Sequence, residues 1–182
     1  MEVENVDAVV MWGTNARNTH PIYFHHVLKG IDNGARSWAI DPRRTATARF
    51  TDTWLGLNVG TDIGLANGVA REIISAGLTD DEFISNATTG YGEFVAFVEP
   101  WTLEHTAEVT GVSAEAIRDL AHGYATAPTA QICWTLGITE HHTGVDNVLS
   151  LCNLALLTGH VGRWGSGLVP LRGQNNVQGG GD

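Results

Sequence analysis

Three short turns carry the polar residues best suited to hold a ligand. They are Gly13-Thr14-Asn15, Asp41-Pro42-Arg43 and Gly60-Thr61-Asp62. A glycine lets a phosphate come close to the backbone, and an amide side chain can donate a hydrogen bond to it. A carboxylate can accept from ribose hydroxyls, or from the paired N–H groups of a purine such as guanine, and an arginine can pair with phosphate. Together the three turns favour a ligand that contains a nucleotide.

A fourth polar segment, PLRGQNNVQGGGD, occupies residues 170–182. One arginine, Arg172, stands there beside a set of amide side chains, which are Gln174, Asn175, Asn176 and Gln178. The neighbouring glycines would let the backbone approach a ligand closely. Composition alone leaves two readings open, a flexible tail or part of a binding site.

Composition and charge describe one globular domain. The 182 residues suffice for one real core, and 43% hydrophobic with 16% charged residues exclude a disordered chain. The net charge of −10 argues against non-specific binding to nucleic acid or to an anionic membrane. A local basic cluster could still hold a phosphate, and it consists of Arg36, Arg43, Arg44 and Arg49. No apolar run approaches the ~20 residues of a membrane span, so we expect no membrane insertion.

The cysteines and the paired histidines match no metal or catalytic motif. Cys133 and Cys152 lie in apolar stretches, which predicts buried, unreactive thiols in a reducing compartment. His25-His26 and His141-His142 are adjacent pairs whose rings point in different directions, and neither fits H-E-x-x-H. We therefore expect no metal ligand in this chain.

Strands and helices alternate along the chain and must position these turns. Short apolar runs predict strands over residues 6–12, 37–41, 53–57 and 129–134. Helical periodicity predicts helices over residues 22–34, 62–77, 113–126 and 145–159, with Asp62 and Ser113 as caps and short helices over 79–110. The alternation predicts an α/β fold with a mostly parallel sheet and helices on both faces. Ligands bind such sheets beyond the carboxyl ends of the strands, which is where the three turns lie.

Five stretches together resemble the catalytic subunit of molybdenum-dependent formate dehydrogenases, in the molybdopterin oxidoreductase family. They are VVMWGTNARNTHP, AIDPRRTATAR, NVGTDIGLANGV, WTLGITEHHTGVDNVLSLCNLALLTGHVGRWGSG and VPLRGQNNVQGGGD. The DPR and GTD turns recur across the wider family, whereas LTG-x-x-G followed by RGQNNVQG points to the formate dehydrogenase branch. The resemblance implies a Rossmann-like domain over residues 1–165, which holds one of two molybdopterin guanine dinucleotides that chelate molybdenum. It also implies that residues 166–182 form the active-site loop.

The resemblance assigns the cofactor-binding residues individually. On the nucleotide side it places Gly13, Thr14 and Asn15 by the pyrophosphate, Asp41 and Arg43 by the nucleoside, and Asp62 by the guanine, with Gly60 and Thr61 in the same turn. On the pterin side it places Leu136, Gly137, Glu140 and Gln174. Family members often have glutamine where this chain has Glu140. Taken by themselves, Trp134 and Leu136 would be predicted to lie in the core.

Arg172 matches the arginine that faces the substrate pocket in formate dehydrogenases. Its planar guanidinium can bind a carboxylate through two hydrogen bonds and stays charged at any working pH. It could therefore hold formate with the C–H bond directed at the metal centre, which lowers the barrier through orientation. The activity that the resemblance implies is formate oxidation to CO2.

The same resemblance implies that the chain is a piece of a longer subunit. In the family, the cysteine or selenocysteine that ligates molybdenum and the cysteines of a 4Fe-4S cluster lie upstream, and a second nucleotide-binding half follows. We expect formate as substrate, electron-transfer subunits as partners, a cytoplasmic location and no turnover by these 182 residues alone. The alternatives are another molybdopterin oxidoreductase or a non-catalytic NAD-type Rossmann module. The NAD module is disfavoured because G-x-G-x-x-G is missing and RGQNNVQG has no role in it.

Overall fold

A single five-stranded parallel sheet forms the centre of the molecule. The computed structural model describes residues 2–177 and 179–180. The strands are β1 (Ala8–Trp12), β2 (Arg36–Ile40), β3 (Thr53–Leu55), β4 (Ala130–Trp134) and β5 (Gly167–Pro170). They lie in the order β3-β2-β1-β4-β5, and every pairing is parallel. All the carboxyl ends therefore meet at one edge of the sheet.

Helices connect the strands on both sides. In the part of the chain that the structure describes they are α1 (Ala16–Thr19), α2 (Pro21–Asp32), α3 (Asp62–Ser75), α4 (Asp81–Ala87), α5 (Tyr91–Val98), α6 (Leu103–Thr110), α7 (Ala114–Ala125), α8 (Leu136–Thr139) and α9 (Gly144–Leu157). Ser113 caps α7 as predicted, because its hydroxyl accepts from the Ala116 N–H at 3.2 Å. None of the described helices is both long and apolar enough to cross a membrane.

The core has two layers, one on each face of β1. Successive side chains of a strand point to opposite faces. Val10 and Trp12 accordingly pack in the larger cluster, which includes apolar residues of α3, α7 and α9. Val9 and Met11 pack in the smaller one, with residues of α2. All five residues of β1 are buried, which explains why the strand reads as one continuous apolar run.

The predicted fold class is confirmed, and the sheet is parallel throughout. The four predicted strands are present with bounds shifted by one or two residues. β5 was not predicted, because a short, half-buried strand that starts at Gly167 gives no apolar run. It hydrogen-bonds to β4, so residues 167–170 belong to the sheet. The proposed division at residue 165 stays a prediction, and residues 178, 181 and 182 of the predicted loop lie outside the described residues.

The contact between α7 and β2 gives a test of this packing. A Cβ added at Gly123 would lie 2.5 Å from the Trp38 ring and 2.6 Å from the Arg36 guanidinium. The Trp38 ring is buried, and its N–H donates to Asp119 at 2.9 Å, so the ring cannot move away freely. We expect Gly123→Ala to lower the free energy of unfolding by about 1–3 kcal/mol in urea denaturation.

Gly92→Ala is the matched control. Gly92 also lies within a helix, α5, but a Cβ added there meets no atom within 4 Å. Helix propensity should then stabilise the variant by about 0.5–1 kcal/mol. Equal effects at Gly123 and Gly92 would contradict the close packing of α7 on the sheet.

Candidate functional site

The ends of β1, β2 and β3 and the start of α8 surround a cavity of about 160 Å³. The residues that line it are Gly13, Asp41, Pro42, Arg43, Leu57, Val59, Gly60, Asp62, Gly137 and His141. Parallel strands bring their carboxyl ends to the same edge, which is why residues far apart in the chain meet here. The cavity contains backbone, two carboxylates, a guanidinium and an imidazole.

One wall of the cavity is formed by two glycines in direct backbone contact. The Gly137 N–H lies 3.2 Å from the Gly13 carbonyl oxygen, which also accepts from the Thr135 hydroxyl at 2.9 Å. Gly13 has a φ of +58°, and a Cβ added at Gly137 would come within 2.5 Å of the Gly13 oxygen. No other residue type fits this approach. The two loops therefore offer backbone without side chains to a ligand.

Asp41 follows β2, and its carboxylate is held by its own turn. Oδ1 accepts from the Arg43 N–H at 2.8 Å, while the Asp41 carbonyl accepts from the Trp54 ring N–H at 2.9 Å. Such Asx turns fix an aspartate at a strand end. The side chain is buried but lines the cavity, so a ligand there would meet an ordered carboxylate.

Asp62 is the first residue of α3, and it is tied to β1. Its Oδ1 accepts from the Trp12 ring N–H at 2.9 Å in a buried contact. The predicted capping role of Asp62 is wrong, because Thr61 holds the N-cap position and makes no side-chain cap bond. Its hydroxyl instead donates to the Asn58 carbonyl at 2.7 Å. The Asp62 carboxylate lies at the first position of α3 and lines the cavity.

Burial raises the pKa of the Asp62 carboxyl above its ordinary value of 3.8. The hydrogen bond from Trp12 and the nearby His141 act in the opposite direction, and the charge of Asp41 adds to the increase. Two carboxylates that share one cavity disfavour each other's charge. A ligand that donates N–H groups to Asp62 would relieve this penalty.

In the turn after β1, one side chain hydrogen-bonds to a neighbouring loop, and another has a buried hydroxyl without a partner among the described residues. The Asn15 Oδ1 accepts from the Thr47 N–H and hydroxyl at 3.3 and 3.2 Å, which joins this turn to the loop between β2 and β3. Thr14 is only 2% exposed, and its hydroxyl has no hydrogen-bond partner among the described residues. An unpaired buried hydroxyl is unfavourable by about 1–3 kcal/mol. A phosphate oxygen at this turn would supply the missing partner.

At the other end of the edge, β4 and β5 carry the remaining predicted residues. Trp134 is buried as predicted, but the prediction of a core position for Leu136 is wrong, since this side chain is 57% exposed. Glu140 is also exposed. Arg172 is the second residue after β5 and is half-buried, and Gln174 is exposed. These residues share the sheet edge but do not line the cavity.

Six predicted site residues therefore come together around the cavity, namely Gly13, Asp41, Arg43, Gly60, Asp62 and Gly137. His141 joins them, although its sequence context predicted neither a metal-binding role nor any other. Its Nε2 lies 2.9 Å from the Gly137 carbonyl oxygen, and because a carbonyl only accepts, Nε2 carries the proton. The spacing of four residues between Gly137 and His141 was the available signal. The sequence did not predict that the Trp12 ring holds Asp62, because nothing in the pattern of β1 indicates a hydrogen bond to α3.

The cysteines lie away from this site. Cys133 is buried in β4 as predicted, and burial raises the pKa of its thiol to about 12, which disfavours the reactive thiolate. Cys152 on α9 is only half-buried, contrary to the prediction, although burial raises its thiol pKa as well.

Fold and cavity together define an α/β domain of the Rossmann-like class, with polar residues at the carboxyl ends of its strands. The chain belongs to the molybdopterin oxidoreductase family, which matches residues 1–181. This membership confirms the resemblance seen in the sequence and implies a molybdopterin cofactor.

Relatives of the chain include formate dehydrogenases. The chain is 46% identical to the F420-dependent formate dehydrogenase 2 subunit alpha of Methanococcus maripaludis and 42% identical to formate dehydrogenase H of Escherichia coli. Each match covers 98% of this chain and 26% or 25% of the relative, so the chain spans about a quarter of their length. The solved structure of acetylene hydratase from Pelobacter acetylenicus matches 86% of this chain and 22% of its own, with a TM-score of 0.82 and 30% identity.

The raised pKa of Asp62 predicts a pH dependence of stability. Between its ordinary pKa of 3.8 and the raised value, the folded state retains a proton that the unfolded chain has lost. The contribution of Asp62 to the free energy of unfolding therefore decreases as the pH rises through this window. Asp62→Asn removes the titration and keeps an oxygen for Trp12. We expect the cofactor-free variant to be more stable than the parent above the window, and to lose this advantage below pH 3.8.

Thermal unfolding from acid to neutral pH would measure this difference. Asp146→Asn is the control, since Asp146 is an exposed aspartate in the first turn of α9. A stability difference between Asp62→Asn and the parent that does not change with pH would contradict the argument.

Proposed function

We propose that this chain is the part of a molybdenum-dependent formate dehydrogenase that holds one molybdopterin guanine dinucleotide and supplies the arginine that binds formate. The observation that carries the proposal is the position of Arg172. It follows β5 on the same sheet edge as the cavity that contains Asp41 and Asp62. The identities of 46% and 42% to two formate dehydrogenases support formate as the substrate.

The cavity suits the nucleotide half of such a cofactor. Asp62 would accept the adjacent ring N–H and amino N–H of guanine, and Asp41 would accept from the ribose hydroxyls. The side-chain-free contact of Gly13 with Gly137 would leave room for the pyrophosphate, and the unpaired Thr14 hydroxyl would donate to it. The cavity is too small to enclose the whole dinucleotide, so the remaining part would extend along the sheet edge.

Further nucleotide and pterin contacts follow from the same placement. Arg43 would pair with the phosphates, and Asn15, Gly60 and Thr61 would shape the turns around them. The exposed residues Leu136, Glu140 and Gln174 would meet the pterin. Glu140 in place of glutamine would accept hydrogen bonds there without donating any while ionised.

Arg172 would bind formate through its two parallel N–H groups. When bound, the cofactor's molybdenum would accept the two electrons that formate loses as it becomes CO2 and a proton. The guanidinium would hold both carboxylate oxygens, stay charged throughout, and fix the direction of the C–H bond. Its contribution is orientation of the substrate in the transition state.

The rest of the proposed enzyme would lie in other parts of a longer subunit and in its partners. We place the molybdenum ligand and a 4Fe-4S cluster before this region, and the second nucleotide-binding half after it. The alpha-subunit name of the M. maripaludis relative supports additional electron-transfer subunits. We propose a cytoplasmic enzyme, and we expect these 182 residues alone to be inactive.

Another reaction of the family is the second candidate. The similarity to acetylene hydratase shows that related domains occur in proteins named for different chemistry. Its identity is 30%, below the 46% and 42% of the formate dehydrogenases, which is why formate oxidation is preferred. Kinetic assay of the full-length protein with formate decides between them.

Replacing Asp62 tests the guanine contact. Asp62→Asn keeps the size of the side chain but loses the charged acceptor, worth about 1.5–3 kcal/mol, or roughly 10- to 150-fold in affinity. We expect the full-length variant to retain less molybdenum and guanine nucleotide after gel filtration than the parent. Asp146→Asn should retain both in full. Full cofactor content in Asp62→Asn and also in Asp62→Ala would remove Asp62 from the site.

Replacing Arg172 tests the substrate contact. Arg172→Lys keeps the charge but loses the two-pronged geometry. The lost hydrogen bonds should reduce transition-state stabilisation by about 2–4 kcal/mol and lower kcat/KM for formate accordingly. This corresponds to roughly 30- to 1,000-fold. Molybdenum content should be unchanged, since Arg172 lies outside the core. Arg71→Lys on α3 is the control, and nearly equal kcat/KM in both variants would refute a role of Arg172 in substrate binding.

A further inference from the structure

We infer that His20 is a positioning residue for formate oxidation, because it fixes the backbone of Arg172 at the point where the chain leaves the sheet. The inference deepens the proposed function and rests on the role of Arg172 in it. His20 does not contact formate in this scheme. It acts through the peptide that carries the arginine.

A direct hydrogen bond joins the two residues across 152 positions of sequence. The His20 Nε2 lies 2.8 Å from the Arg172 carbonyl oxygen. A carbonyl oxygen only accepts, so Nε2 must carry the proton and donate. The Thr19 hydroxyl lies 2.8 Å from Nδ1, closer than its 3.3 Å separation from the Asn15 carbonyl. Nδ1 then accepts from Thr19, and both ring nitrogens are engaged.

The backbone of His20 is held as firmly as its ring. Its N–H donates to the Ala16 carbonyl at 2.8 Å, and its own carbonyl accepts from the Phe24 N–H at 2.9 Å. The residue therefore links the end of α1 to the start of α2. Pro21 follows at the first position of α2 and restricts the backbone of His20, which has φ −135° and ψ 59°. A rigid donor results, attached to the sheet through β1.

Arg172 is the last described residue whose backbone is bonded to the sheet domain. Leu171 extends the pairing of β5 with β4, because its N–H donates to the Trp134 carbonyl at 2.9 Å. The Arg172 carbonyl then accepts from His20. Beyond it, among the described residues up to Gly180, the only backbone hydrogen bond joins the Gly180 N–H to Asn176, within the loop itself. Without the bond from His20, the last backbone hydrogen bond between this segment and the sheet domain would be the one at Leu171, and the Arg172 peptide would have none.

This anchor matters because a guanidinium binds a carboxylate well in only one orientation. A displacement of about 1 Å in a positioning group can lower the rate about 100-fold. The His20 bond holds the peptide plane of Arg172, and thus the origin of its side chain, on the sheet edge. Loss of the bond should impair the orientation of formate while leaving the nucleotide cavity unchanged.

The test uses the full-length, cofactor-loaded protein with three variants at His20. His20→Ala should lower kcat/KM for formate about 10- to 100-fold, chiefly through kcat, with molybdenum content unchanged. His20→Gln should recover most of the activity, because its amide nitrogen reaches nearly the position of Nε2. His20→Asn reaches only the position of Nδ1 and should behave like His20→Ala. His25→Ala, at an exposed histidine of α2, is the control.

A double-mutant cycle separates this inference from the proposed function. If His20 acts through Arg172, adding His20→Ala to Arg172→Lys should have little further effect on kcat/KM. The same fold loss in both backgrounds, loss of molybdenum from His20→Gln, or equal activity of the Asn and Gln variants would overturn the role of His20. Wild-type formate kinetics in Arg172→Lys would instead overturn the proposed function of Arg172, whatever the His20 variants show.

Discussion

The close approach of two strand ends is the constraint on which the site depends. β1 and β4 pair in register from Ala8 opposite Ala130 to Trp12 opposite Trp134, so the loops that follow them start side by side. They can remain so only because Gly13 and Gly137 carry no side chains. A Cβ at either position would separate the loops or shift the central pair of strands. The shape of the cavity wall is therefore set by the backbone, and the side chains around it only add chemistry.

That chemistry is unfavourable for the protein without a ligand. The carboxylates of Asp41 and Asp62 line one cavity, burial opposes ionisation of Asp62, and the Thr14 hydroxyl is buried without a described partner. Groups of this kind weaken folding and persist where binding uses them. Trp12 and the Asp41 turn hold the two carboxylates in place in the ligand-free protein. Binding therefore loses little additional conformational entropy in ordering them.

The features of the fold that depend on neighbouring residues in the chain could be predicted from the sequence. Continuous apolar runs identified β1 to β4, and polar residues at their ends identified most of the cavity lining, because parallel strands bring those ends together. The failures involve contacts between distant segments. β5 is stabilised by pairing with β4 rather than by its own composition, and Asp62 binds Trp12 instead of capping α3. His20 resembles an ordinary residue before proline, and only the fold brings it to Arg172.

The separation of the two polar regions along the sheet edge is itself informative. The carboxylates follow β2 and β3, whereas Arg172 follows β5, and β1 and β4 lie between them. With neighbouring strands about 4.8 Å apart, the ends of β3 and β5 are separated by roughly 19 Å. Formate, a single carboxylate, cannot span that distance. In the proposed function, an extended cofactor along the edge would span it, with its nucleotide end at the buried carboxylates and its reactive end near the arginine. In the proposed enzyme, this geometry would let a domain with so small a cavity serve both cofactor binding and substrate orientation.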